Sequence, residues 1–173
     1  WVSVNGDLVE LTLYFGKLRR AVVERAALLI TDNGSFELSS AETKRTDAPI
    51  GDLEKYIYEP DNAAIRSHLL GELANSLGLK IFSPEIAYLT SATEVSSPWL
   101  KKYELIEDLP FDRKKLKAAL KARDIGPIEI KKRGTDITPE NLRRELNLKG
   151  KEPATLIVTR VAGTHRALLV KPL

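Results

Sequence analysis

The stretch Ile128-Glu129-Ile130-Lys131-Lys132-Arg133-Gly134 alternates apolar and polar side chains and stops at a glycine, the pattern of a β-strand with one buried face. On both sides of it the period changes. Upstream, Asp112 is placed to cap a helix in which Leu116, Ala119 and Leu120 share one face and Lys114, Lys117 and Lys121 another. Downstream, Thr138-Pro139 opens a further helix with Leu142 and Leu146 inward and Arg143 and Arg144 outward. Residues 155–161 and 165–170 then read as a hairpin over Ala162-Gly163-Thr164. Strand and helix alternate in this half, which predicts an α+β fold.

Further upstream, residues 56–58 and 100–107 read as strands, separated by a Ser- and Pro-rich stretch over 83–99. Asp61 is placed to cap a helix whose Ile65, Leu69, Leu73 and Leu77 recur every four residues until Gly78. From Trp1 to about Ile50 the pattern is strand only. A hairpin is expected around Asn5-Gly6-Asp7, its second strand covering residues 8–15, and another around Asp32-Asn33-Gly34, between a run from Val22 to Thr31 and one over 35–38. The polar segment after Ser39, ending in Ala48-Pro49-Ile50-Gly51, reads as a linker. The expected organisation is therefore a strand-rich part, residues 1–50, and an α+β part, residues 51–173.

Charge is distributed unevenly. Residues 113–151 hold thirteen of the 27 basic residues and five of the 24 acidic ones, so this stretch is strongly positive although the whole chain carries only +3. Clustered Lys and Arg gain affinity for polyanions by releasing counterions from phosphates. The candidate nucleic-acid contacts are Lys114, Lys117, Lys121, Lys131, Lys132, Arg133, Arg143 and Arg144, expected to converge on one surface because they sit on sequential elements. Arg160 and Arg166 on the last hairpin join them. Gly134 after three cations would let a phosphate approach the backbone, with Arg133 as a bidentate grip and Lys131 and Lys132 as point charges. A rival reading makes Lys131 and Lys132 partners of Glu129 or Glu59, in which case they serve stability. Tyr56, Tyr58, Tyr88 and Trp99 flank turns and are candidates for base stacking, against the alternative that they pack in the core.

Catalytic chemistry is not legible. The sequence has no glycine-rich phosphate loop, no Gly-x-Ser-x-Gly, no cysteine and two histidines, so no metal site and no catalytic residue is expected. His68 reads as a partly exposed helix residue and His165 as a turn residue. Glu104, Glu107 and Asp108 are close in sequence, but strand alternation divides them between faces. No apolar run reaches the roughly 20 residues of a membrane span, and the expectation is a cytoplasmic protein. With no methionine, Trp1 is not expected to be a translation start.

Five segments carry a resemblance. Residues 56–61, 86–91, 97–100, 129–134 and 156–163, which include Tyr58-Glu59-Pro60-Asp61, Ser97-Pro98-Trp99-Leu100 and Lys131-Lys132-Arg133-Gly134, resemble in that order the C-terminal THUMP-like domain of bacterial class I S-adenosylmethionine-dependent methyltransferases, over residues 55–173. The resemblance implies a THUMP-like mixed domain of three helices and a small sheet, preceded by the terminal antiparallel strands of a truncated Rossmann-like methyltransferase domain. It further implies that no cofactor binds this chain itself, with S-adenosylmethionine expected in the missing domain acting in cis. The substrate would be RNA, such as tRNA or rRNA. The alternatives are a structural or protein-interaction domain of a methyltransferase acting on a non-nucleic substrate, or an independent small enzyme.

Overall fold

In the computed structural model, which describes residues 1–19, 23–40 and 46–173, the first sheet is built from β1 (Val2–Val4), β2 (Asp7–Glu10), β3 (Ala26–Thr31) and β4 (Gly34–Ser39), in the order β2-β1-β3-β4. Both hairpins form at the expected turns. Asn5 (φ 49°) and Gly6 (φ 93°) take the left-handed conformations of a tight hairpin. The pairing between the hairpins is parallel, β1 against β3, so the sheet is mixed: the chain after β2 crosses back before β3 begins. β2 ends at Glu10, short of the expected residue 15, and the expected start of the third strand at Val22 lies outside the described residues. Part of the expected linker, residues 41–45, does so too.

The second sheet contains β5 (Tyr56–Pro60), β6 (Lys80–Ile81), β7 (Leu89–Ser91), β8 (Leu100–Pro110), β9 (Ile125–Lys132), β10 (Glu152–Val161) and β11 (Thr164–Pro172), in the order β6-β7-β5-β8-β11-β10-β9. All its ladders are antiparallel except β9 with β10. At seven strands it is larger than the small sheet expected.

The helices are α1 (Asn62–Arg66), α2 (Leu70–Leu77), α3 (Arg113–Ala122) and α4 (Pro139–Leu146). Asp61 caps α1 by accepting from the Ala63 N–H at 2.8 Å, and Asp112 caps α3 by accepting from the Lys115 N–H at 2.8 Å. The single helix expected between Asp61 and Gly78 is instead two. His68 adopts φ 59° and closes α1, with the Leu69 N–H donating back to the Ala64 carbonyl at 3.1 Å, a left-handed C-terminal stop. The four-residue stripe survives the break, because Leu69 and Leu73 are buried in one cluster.

Strand alternation sorts the core onto two faces. On one face, α1, α2 and the first sheet cover Tyr58 and Leu89 with Ala63, Leu69, Leu73, Ala27 and Leu29. At the other end of that face, Leu116 and Leu120 of α3 and Leu142 and Leu146 of α4 pack on Ile128, Ile130, Leu156 and Val158. The opposite face presents Ile57, Tyr103, Ile157, Leu168 and Val170 to Phe82, Ile86 and Tyr88 from the segment before β7. The pairing of β8 with β11 shifts between Leu105 and Glu107, leaving Ile106 as an extra residue. Such a bulge bends and twists a strand.

Where the chain enters β9, Gly126 and Gly150 cross: a Cβ on Gly126 would stand 1.8 Å from the Gly150 carbonyl oxygen. Gly126→Ala is therefore expected to lower stability by about 1–3 kcal/mol through overpacking against backbone, read as a shift in the urea midpoint. An unchanged midpoint would show that this crossing yields freely.

Candidate nucleic-acid interface

The alternation that buries Ile128 and Ile130 under α3 and α4 turns Lys131 and Arg133 to the opposite side of the sheet. The eight cations expected on one surface are thus divided between two, which corrects the convergence read from the sequence. Sequential elements do neighbour one another here, but a strand edge exposes both its faces. On the helical side, Lys114, Lys121, Lys132, Arg143 and Arg144 are exposed. Some of this set is engaged by the protein: the Lys117 Nζ donates to the Glu145 carbonyl at 3.0 Å, the Arg143 Nε donates to the Ile128 carbonyl at 3.2 Å, and Arg144 donates to the Asn141 side chain. Arg113 pairs with Glu145 at 3.0 Å. Arg160 donates to the Gly134 carbonyl at 3.1 Å and Arg166 pairs with Asp108 at 2.7 Å, so both strap loops or strands.

Lys131 and Arg133 meet at Glu59. The Lys131 Nζ lies 3.0 Å from the Glu59 Oε2, the Tyr103 hydroxyl donates to the same oxygen at 3.1 Å, and the Arg133 Nη2 is 3.7 Å from Oε1. Glu129 is a more distant partner of Lys131 at 3.9 Å. The Arg133 guanidinium also lies over the Tyr88 ring, 5.2 Å from its centroid. Burial works to raise the Glu59 carboxyl, but the hydrogen bond and charge of Lys131, with Tyr103 and Arg133 behind them, hold it below the ordinary glutamate range. Burial likewise disfavours the Lys131 ammonium, and Glu59 more than offsets it, so the lysine titrates above its ordinary value. Burial, reinforced by the Glu59 charge, pushes the Tyr88 and Tyr103 phenols up. For Lys131 the rival reading describes the contacts found, with Glu59 as partner. Lys132 takes no part.

Gly134 has φ 69°, and a Cβ there would stand 2.0 Å from the Ile86 Cδ1. The Cβ side of this glycine is occupied by the tip of Ile86, while the residue itself is exposed. The aromatic candidates are corrected by burial. Tyr58, Tyr88 and Trp99 are 0%, 1% and 6% exposed; Tyr58 and Tyr88 have no face to offer a base, and Trp99 shows only a small part of its surface, at a cleft between the two sheets. The Tyr58 hydroxyl accepts from the Val95 N–H at 2.8 Å and bonds Ser91 at 3.0 Å, while Tyr88 stacks on Phe82. Tyr56 is half-buried with Lys55 over its ring. Glu104, Glu107 and Asp108 are each engaged by a cation, Lys55, Arg123 and Arg166, and form no acid–base pair. The sequence reading did not single out Tyr103, although its register partner Ile57 places it on the same face as Glu59.

Residues 100–172, β8 to β11 with α3 and α4, match the protein family described as THUMP domain-like. Residues 100–172 are a THUMP-like domain. The chain is also 32% identical over 160 residues to an uncharacterized S-adenosylmethionine-dependent methyltransferase of Mycobacterium tuberculosis, in strain CDC 1551 / Oshkosh and in strain H37Rv, covering 92% of this chain and 43% of the relative. It thus spans less than half the length of these curated relatives. A crystal structure from Porphyromonas gingivalis W83, described as a methyltransferase, superposes with a TM-score of 0.71 at 23% identity over 98% of this chain and 43% of the other, a likeness of fold. The THUMP-like likeness is thus confined to residues 100–172, while the likeness to S-adenosylmethionine-dependent methyltransferases extends over most of the chain.

Glu59 lies outside the matched THUMP-like residues, and its partners Tyr103, Lys131 and Arg133 lie within them. The cluster therefore ties β5 to the THUMP-like domain. Because the folded carboxyl is held low, its contribution to stability is present above the ordinary glutamate pKa, about 4.3, and is lost as pH falls through the lower folded value. Glu59→Gln is expected to cost about 1–3 kcal/mol near neutrality, by leaving half-buried cations without their carboxylate, and the gap to the unmodified chain should close on acidification. Urea denaturation at a series of pH values measures both; a gap independent of pH would assign the effect to packing.

Proposed function

We propose that this chain is the substrate-recognition portion of an S-adenosylmethionine-dependent methyltransferase and that its substrate is RNA. The observation that supports the reading is the outer helical side of the THUMP-like domain, where Lys121, Lys132 and Arg144 are exposed and none is in an ion pair with a described residue. They belong to the strongly basic stretch 113–151, and long cationic side chains on such a surface suit a phosphate backbone. Lys131 and Arg133, held by Glu59, support the site from behind rather than contact RNA.

On this reading residues 1–50 are the closing strands of the methyltransferase domain and residues 51–173 the recognition domain. Support comes from the large apolar side chains left in solvent near the first sheet: Leu13, Phe15 and Leu18 are 77%, 82% and 76% exposed, a concentration that marks a surface made to be covered. On this reading S-adenosylmethionine binds elsewhere in the enzyme: the two hairpin turns described in the first sheet, at Asn5-Gly6 and Asp32-Asn33, are not glycine-rich strand-to-helix loops of the kind that binds such a cofactor. A second reading, a structural domain of a methyltransferase with a non-nucleic substrate, is favoured by the internal engagement of Lys117, Lys131, Arg133 and Arg166.

Changing Lys121, Lys132 and Arg144 together to Ala is expected to weaken tRNA or rRNA binding. The slope of log K against log salt should drop by about 0.7–0.9 for each phosphate that is no longer neutralised, at an unchanged melting temperature because all three side chains are exposed. Unaltered affinity and slope would decide for the structural reading. Isothermal calorimetry of the 173-residue chain with S-adenosylmethionine is expected to show no binding; micromolar affinity would overturn the assignment of the cofactor site to another part of the enzyme.

A further inference from the structure

Between the two sheets, where the β1–β2 turn faces the end of β5 and the start of β8, lies a cleft of about 280 Å³. Its lining joins residues of both halves of the chain: Asn5 and Gly6 from the turn, Asn62 from α1, and Pro98, Trp99 and Lys101 from in and around the Ser97-Pro98-Trp99-Leu100 segment. The volume is at the small end of ligand pockets, which run from about 300 Å³ upward. That leaves room for one nucleotide and little more.

The charges around the cleft are unequally committed. Both carboxylates in the lining are occupied by protein groups. Asp61 accepts from the Ser3 hydroxyl at 2.9 Å and the Ala63 N–H at 2.8 Å, and Glu59 is taken by Lys131, Tyr103 and Arg133. Lys101 is the register partner of Glu59 in the β5–β8 ladder, yet no carboxylate among the described residues pairs with it. Its Nζ stands 3.8 Å from where a Cβ of Gly6 would be, over the turn and at the rim of the cleft. The cleft thus has an uncommitted cation beside two committed acids. The amides are similarly available: the Asn5 side chain has no partner among the described residues, and the Asn62 Nδ2 reaches only the Gly6 carbonyl at 3.5 Å. Trp99 and Pro98 complete an apolar wall.

We propose that this cleft holds a single unstacked nucleotide of the RNA, its phosphate on Lys101 and its base edge against the amides of Asn5 and Asn62. Those are the groups single-stranded RNA recognition uses: a cation for the backbone and side-chain amides for the exposed base edge. The inference rests on the RNA reading above. It adds a second point of attachment on the far side of the β8 strand from the cationic helices, and it gives the junction of the two halves a role in orienting the substrate.

The test is a heteronuclear NMR titration of the 173-residue chain with adenosine and uridine 5′-monophosphates and with inorganic phosphate, run beside a tRNA-binding measurement. Saturable shifts of the Trp99 indole and of the Asn5 and Asn62 amides with at least one mononucleotide, absent with phosphate, are expected. Lys101→Ala should weaken that binding about ten-fold, the effect of removing one charge-assisted hydrogen bond. Asn5→Gly, which keeps the left-handed turn, should also weaken it. Exposed positions leave the fold intact, which signal dispersion in the same spectra verifies. If tRNA binds but the mononucleotides leave these signals unshifted, or phosphate alone reproduces the shifts, the cleft assignment is overturned while the RNA reading stands. Mononucleotide binding without tRNA binding would uphold the cleft and overturn the RNA reading.

Discussion

One carboxylate bridging two strands that are not neighbours sets the shape of this molecule. Glu59 on β5 and Lys131 on β9 are separated by three strands, which in a flat sheet would place them about 19 Å apart; they are 3.0 Å apart at their charged atoms. The seven-stranded sheet must curl to bring them together, and the extra residue Ile106 in β8 supplies a bend. The concave side so formed is filled by Phe82, Ile86 and Tyr88, and Gly134 is free of a side chain where Ile86 fills that space. An uncompensated charge at this position would be costly, since each partner is mostly withdrawn from water.

The same curl decides which cations are available. A curled sheet has an inner face, where Lys131 and Arg133 are consumed by Glu59, and an outer face roofed by α3 and α4. Among the described cations of residues 113–151, Lys121, Lys132 and Arg144 on the outer side stand clear of carboxylates, whereas Lys131 and Arg133 on the inner side do not. Net charge over residues 113–151 therefore overstates the charge a polyanion meets, because part of it is neutralised inside the fold.

The first sheet stands in a different relation to its surroundings on its two sides. Ala27 and Leu29 share a core cluster with Leu69 and Leu73 of the helical pair, so one face is as well packed as any interior surface. Ile30, next to Leu29 but pointing the other way, is partly in solvent at 39% exposure. The cleft at Asn5, Asn62 and Lys101 lies where this sheet meets the second one.

Local patterns carried most of the elements. The turns at Asn5-Gly6 and Asp32-Asn33, the caps at Asp61 and Asp112, the Pro139 start and the leucine stripes depend on residues within one or two turns of each other, so their physics is present in the linear sequence. The order of those elements and the motif blocks also sufficed to suggest the THUMP-like family. The break at His68, the parallel pairing of β1 with β3 and the two-residue strand β6 were not legible, since each is imposed by packing between distant segments. The candidate site divides along the same line. That residues 113–151 are basic is a property of the sequence; that Lys131 faces Glu59, 72 residues away, while Lys132 faces solvent follows from strand alternation combined with sheet curl, and only the tertiary structure sets that combination.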